Sequence, residues 1–419
     1  MNNSRKKINK NLVLLLLGRG VSDMGASIQM IVMPLYIIDV GGSAATVGLY
    51  SFLSMATVLV YPLAGVLGDR LNRKTIMVST DFASASVVLL LSACAYFKLI
   101  SLPILLIAQI CIATLNGLFD PATKGMVPQI VEQEQLTKVN SIVSSLRTIS
   151  VLFGSVIGSM LYVNLGVTVL FFLNGISFFL SGCSEMFILY RHIKSDNGGK
   201  SIGLLSDLMD GIKFILQNKI IRKLCVYFLI TFALIQPIFN VVLPVFFRGS
   251  LNYSDVQYGY LQMFIIIGAL QGSVLVGVLF GKGHQVKKSL SIGCTLMVMI
   301  LSLLAILIFP FSISLFGNST TTYFLLLSGV LCLLSAVLMF IHIPVQTYIQ
   351  MSTPNEYMSR MFSIVGMITK GGMPLGALLY GIILEKAAVH WTMLFTASLA
   401  MLITAFFLIS LSKMQLKSK

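Results

Sequence analysis

Apolar runs of about twenty residues, cut by short polar breaks, repeat along the whole chain. A helix needs ~20 such residues to cross a ~30 Å hydrocarbon core. The pattern predicts twelve helical spans, near 11–38, 44–67, 75–97, 102–120, 139–163, 168–190, 219–246, 257–280, 289–311, 321–345, 359–384 and 391–412. One long polar interruption, Arg191 to Asn218, leaves six spans on either side. The expected organisation is therefore an N-terminal six-helix bundle over 1–190, a central loop over 191–218 and a C-terminal six-helix bundle over 219–419. Within the loop, Leu205, Leu208, Met209, Ile212, Ile215 and Leu216 recur at helical spacing. They predict an amphipathic helix, lying on the inner membrane surface or packed on the bundle.

Composition sharpens this. Of 419 residues, 57% are hydrophobic and 10% charged, against ~45–50% and ~25% in soluble domains. That excludes a water-soluble enzyme and predicts an all-α membrane protein. The apolar stretch after Lys10 imitates a signal peptide but runs on past Arg19 and Asp23 to Ile38, and so reads as the first span. The six cysteines lie inside apolar runs without metal or CxxC spacing, so they read as small buried hydrophobes.

Net charge is +15, and its placement decides its meaning. With the N-terminus inside, the inward-facing segments hold 23 of the 29 Lys and Arg residues. That bias places both termini in the cytoplasm of a multi-pass membrane protein. Dispersal over short loops argues against nucleic acid as a partner.

The two halves echo each other. Gly65 and Gly277, which open similar loops, are 212 residues apart, while Pro121 and Pro344, Arg147 and Lys370, and Gly158 and Gly381 are each separated by 223. A repeated six-helix plan is the architecture of rocking transporters, with the substrate site near the midplane between repeats.

Charges inside the spans need a reason, since each costs at least ~2.5–3.5 kcal/mol on insertion scales. Arg19 and Asp23, four apart on the first span, share a face. They read either as a self-neutralising pair or as a coupling site at which Asp23 takes a proton. Arg147 and Lys370 have no opposite charge within their own spans. Asp81 and Glu185, a turn or so from predicted span ends, read as interfacial anchors ahead of a role in coupling, and His342 as a satisfied core group. No nucleophile–base set, phosphate-binding loop or metal cluster occurs, so the chain is not read as an enzyme, and no cofactor is expected beyond a proton gradient as energy source.

The segment Gly65-Val66-Leu67-Gly68-Asp69-Arg70-Leu71-Asn72-Arg73-Lys74 resembles the loop 2–3 signature of the major facilitator superfamily, G-x-L-[AS]-D-R-x-G-R-[RK]. Gly68 replaces the usual Ala or Ser. Asn72 replaces Gly, and the expectation is that asparagine serves the left-handed turn that glycine normally provides. Segments on the first span (GRGVSDMGASIQMIVMPLY), after the fourth (FDPATKGMVPQIVEQEQLTKVNS), before the seventh (DLMDGIKFILQNKIIRKL) and on the eleventh (GGMPLGALLYG) are similar to the drug–proton antiporter branch that includes macrolide-efflux and siderophore-export proteins. GSVIGS stands on the fifth span where the antiporter motif has Gly-Pro, and the fourth span lacks the arginine motif of some proton antiporters.

This resemblance implies a two-bundle, twelve-helix fold with a conformational latch built from Gly65, Asp69, Arg70, Arg73 and Lys74 together with Asp120. Asp69 is expected to meet the positive end of the eleventh helix. The fold also implies a central cavity faced by the helices carrying Arg147 and Lys370. With Arg19 and Asp23 these are the coupling and cavity candidates. The implied activity is export of amphipathic, macrolide- or drug-like molecules by alternating access, in exchange for protons, by a monomer among the lipids of a bacterial inner membrane. Export or flipping of one natural compound, such as a siderophore or lysophospholipid, is the alternative. A nutrient importer is a further one, and a membrane sensor or enzyme is disfavoured.

Overall fold

The computed structural model describes residues 2–41, 44–54, 56–190, 204–251, 253–281, 285–317 and 320–412. Among these residues all regular structure is helical. Helix α1 (Asn2–Asp39) is the first expected span. The second is broken into α2 (Ala44–Leu53) and α3 (Ala56–Arg70), then come α4 (Arg73–Tyr96) and α5 (Leu102–Ile130). Helix α6 (Leu136–Met186) carries both the fifth and sixth spans in two arms that meet at Gly166, whose φ of 73° suits a residue without Cβ.

The loop helix is α7 (Leu204–Gln217), and residues 191–203 of the expected loop lie outside the described residues. One side of α7 packs down, with Phe214 stacked 5.5 Å from Tyr357 and Ile215 buried, while Met209 and Leu216 are exposed. Leu205 and Leu208 of the predicted stripe lie outside the described side chains.

Helix α8 (Lys219–Pro237) continues through two wide π-helical segments, Ile238–Val242 and Val245–Ser250, at Pro237 and Pro244. Proline lacks the N–H that an α-turn would use, so the ladder opens there. Helices α9 (Asp255–Phe280), α10 (Val286–Leu307), the short α11 (Pro310–Phe316), α12 (Thr321–Ser352), α13 (Met358–Lys386) and α14 (Val389–Ser412) complete the chain.

Eight segments of the described residues are long and apolar enough to cross a membrane unaided. The remaining expected spans fall on α1, on the broken pair α2 and α3, on the first arm of α6 and on α13, all interrupted by charge, a break or a glycine. Leu59 (81% exposed), Val163 (82%) and Phe406 (77%) would be costly in water and are at home against lipid.

Contacts divide the chain into two compact units. The first is Met1–Gln133, Leu146–Phe214 and Gln350–Met367, and the second is Glu134–Ser145, Ile215–Ile349 and Ile368–Lys419. Each thus takes a short segment from the other half of the sequence. The first unit packs Met33, Val88, Leu91, Leu105 and Phe171 into one core. Its α6 approaches α1 closely, because a Cβ on Gly154 would lie 2.7 Å from that of Ser27. The second unit has a smaller cluster of Val276, Phe280, Phe340 and Ile343.

Candidate functional site

The turn from α3 to α4 builds the first charge cluster, all of it inside the first unit. Asn72 caps α4, accepting from the Lys74 N–H at 3.0 Å. Its φ of −66° and ψ of 114° are extended backbone. The expected left-handed turn is therefore absent: asparagine stands here as a helix cap, and needs no positive φ.

One turn earlier, the Asp69 side chain is fully buried. It accepts from Arg73 Nη2 at 2.9 Å and from the backbone N–H groups of Ser359 (2.8 Å) and Arg360 (3.1 Å), in the first turn of α13. Those N–H groups have no partner within their own helix, and together they carry the positive end of its dipole. Arg73, also buried, spreads its donors over the Gly68 carbonyl (3.1 Å), Ser359 Oγ (3.0 Å), the Gly125 carbonyl (2.8 Å), Asp69 and the Asn355 carbonyl (2.6 Å). Every side of the guanidinium is satisfied, which is the condition for burying a charge. Glycine makes room for this: a Cβ on Gly68 would lie 2.6 Å from that of Ser359, and one on Gly65 2.8 Å from that of Ser363. Arg360 adds its Nε 3.5 Å from Asp69 and lays its guanidinium 5.4 Å from the Tyr357 ring centre. Arg70 is exposed, and Lys74 Nζ donates to the Met186 carbonyl that ends α6, at 2.7 Å.

The second cluster lies between α1 and α5. Arg19 Nε donates to Asp23 at 3.2 Å, its Nη2 stands 3.7 Å from Asp120, and Lys124 Nζ donates to Asp120 at 2.9 Å. The four charges alternate in sign and sum to zero. Phe119 lies 5.2 Å under the guanidinium. Asp120, grouped by resemblance with Asp69, thus pairs with Arg19 and Lys124. Tyr61, buried on α3, joins the two clusters. Its hydroxyl donates to Asp120 at 3.3 Å, and its carbonyl accepts from Ser363 Oγ on α13. Arg147 is exposed on α6, and the Lys370 side chain lies outside the described residues.

Two acids lie elsewhere than the sequence reading expects. Asp81 (3% exposed) and Glu185 (0%) are interior groups rather than the interfacial anchors expected of them. Asp81 Oδ2 and both Glu185 oxygens have no hydrogen-bond partner among the described residues. Glu185 is covered because its neighbours tie α6 down on both sides: Ser184 donates to Leu14 of α1 at 2.8 Å, and Met186 accepts from Lys74 of α4. The ring of Phe82, next to Asp81, packs 5.4 Å from that of Phe179.

This helical plan with its buried loop aspartate and arginine has known counterparts. The profile of the Major Facilitator Superfamily matches residues 15–372. The chain belongs to that superfamily.

Among curated proteins, Macrolide efflux protein A of Streptococcus pyogenes is 23% identical over 380 residues, covering 90% of each chain. The multidrug efflux pump Tap of Mycolicibacterium fortuitum is 23% identical over 97% of this chain and 98% of that protein. The same fold is seen in a bacterial homologue of the iron transporter ferroportin in its outward-facing state, with TM-score 0.76 and 16% identity over 96% of this chain and all of that one. As a member of the superfamily the protein is a multi-pass membrane transporter of small molecules and not an enzyme, with the superfamily's twelve-helix, two-domain fold.

Proposed function

We propose that this superfamily member exports amphipathic, macrolide- or drug-like molecules by alternating access, in exchange for protons. The observation that carries the reading is similarity to a macrolide efflux protein along nine-tenths of both chains. The site chemistry supports it. Asp69 and Arg73 hold the first turn of α13 through charge-assisted bonds that must all break together, which suits a two-state latch. The Arg19–Asp23–Asp120–Lys124 chain supports proton exchange: its charges cancel, so a proton delivered to either carboxylate leaves Arg19 undercompensated and favours a rearrangement. The protein works as a monomer in a bacterial inner membrane with both termini in the cytoplasm, an orientation supported by the Lys and Arg bias.

The test is accumulation of a labelled macrolide in cells with and without the protein, repeated after a protonophore. Lower accumulation that the protonophore abolishes is expected. Equal accumulation across a panel of macrolides and lipophilic drugs would overturn export of this class. Export that survives the protonophore would overturn proton exchange.

A further inference from the structure

We infer that the lipid-facing side of the second unit holds a specific site for an anionic phospholipid of the inner leaflet, between α8 and α14. These helices run antiparallel, and their i, i+4 faces leave a groove of about 500 Å³. Val226, Ile230, Leu402 and Phe406 line its length. Tyr227 and Phe407, stacked at 3.9 Å and 9°, also line it. Three of the wall residues are open outward, Val226 at 51%, Leu402 at 68% and Phe406 at 77% exposure. A groove so open and apolar is filled by acyl chain in a membrane.

Its two ends differ. Arg222 and Lys223 stand at one end, and among the described residues no carboxylate lines it. Arg222 Nη1 donates to the Leu216 carbonyl at 2.9 Å and Lys223 Nζ to Ser410 Oγ at 2.5 Å, so both cations are fixed beside the groove, and each has donors left for a phosphate. From Arg222 to Ile230 the helix rises about 12 Å, within one leaflet of a ~30 Å core. The Lys and Arg bias puts the charged end at the cytoplasmic surface, where basic pockets between helices recognise anionic headgroups. The sequence adds Lys413, Lys417 and Lys419 just after α14. One cationic end and a single-leaflet apolar trough match one molecule: a phospholipid with net negative headgroup, such as phosphatidylglycerol.

Native mass spectrometry on the purified full chain tests this. Detergent-solubilised protein is exposed in turn to phosphatidylglycerol, phosphatidylcholine and inorganic phosphate. Phosphatidylglycerol should be retained over phosphatidylcholine by about tenfold, a preference that the paired change Arg222→Gln and Lys223→Gln removes. Leu402→Trp, which fills the trough and keeps both cations, should lower retention of both lipids. Equal retention of the two lipids by the unchanged protein overturns the site. So does an undiminished preference in the doubly substituted protein with normal gel-filtration behaviour. Displacement of phosphatidylglycerol by millimolar inorganic phosphate would show that phosphate alone is recognised, and overturns the lipid reading.

Discussion

The duplicated plan builds one contact twice, and the two copies differ in chemistry. In the first unit, Gly65 of α3 lets the start of α13 approach until a Cβ would lie 2.8 Å from that of Ser363. In the second, Gly277 of α9 does the same for the start of α6, with a Cβ 2.9 Å from that of Ser141. Around the first contact lie buried charges, Asp69 and Arg73, bonded to α13. Among the described residues, the side-chain bonds around the second are neutral. Asn140 donates to Thr347 Oγ1 at 3.0 Å and accepts from Gln346 at 3.1 Å, while Ser144 and Ser273 share a bond of 3.0 Å. Neutral bonds contribute ~0.5–1.5 kcal/mol each and those to charged groups ~1.5–3. The backbone approach therefore needs only small residues; charge sets how firmly it is held.

Breaking the charged copy should have the largest effect. Arg73→Ala strands the Asp69 carboxylate in a dry site, and loss of one partner of a buried pair costs ~3–5 kcal/mol. A clear drop in the melting temperature of the purified protein and near-complete loss of transport are expected. A melting curve unchanged by this substitution would show that the cluster carries little of the stability. Asp69→Asn keeps the volume, yet it turns an amide against the Arg73 donors, and transport should fall at least about tenfold.

Next in size is a steric test of the shared feature. Gly65→Val should destabilise by ~1–3 kcal/mol, because its Cβ would lie 2.8 Å from that of Ser363 and 2.9 Å from the Arg360 Cα. Gly277→Val should cost a similar amount in the uncharged copy. Comparable melting shifts would confirm that close approach, not charge, is common to both. Asn140→Ala should come in lower, near ~1 kcal/mol, read by the same melting assay.

The smallest effect belongs to charges of a third kind. Glu185 is buried like Asp69 but has no donor among the described residues. Glu185→Gln is therefore expected to leave the stability read from the melting curve unchanged or raise it slightly, by less than ~1 kcal/mol. A large fall would mean that the carboxylate has a partner essential to the fold.

Much of this was legible in residues. Twelve spans followed from run length, and the Asp69–Arg73 turn from the resemblance of Gly65 to Lys74 to the superfamily's loop signature. Other features were not, for physical reasons. Depth judged along a single helix put Asp81 and Glu185 near the surface, whereas burial depends on what neighbouring helices cover. Asp120 found Arg19 because α1 and α5 meet, a contact that spacing within either helix does not encode. Ser359 and Ser363 matter through their smallness and their place at a helix start, and hydropathy registers neither. Tyr61 sits in an apolar run with no charged neighbour in sequence to mark it, although its two ends connect both charge clusters.

Asn72 bears on how such chains are recognised in genomes. A fixed-letter pattern that insists on glycine there would discard this protein, although its backbone at that place is ordinary and extended. What the turn uses is an acceptor able to cap the next helix, a role that serine, threonine or aspartate also fills. A search profile weighted toward capping ability at that column would gather transporters that a glycine-based one leaves out.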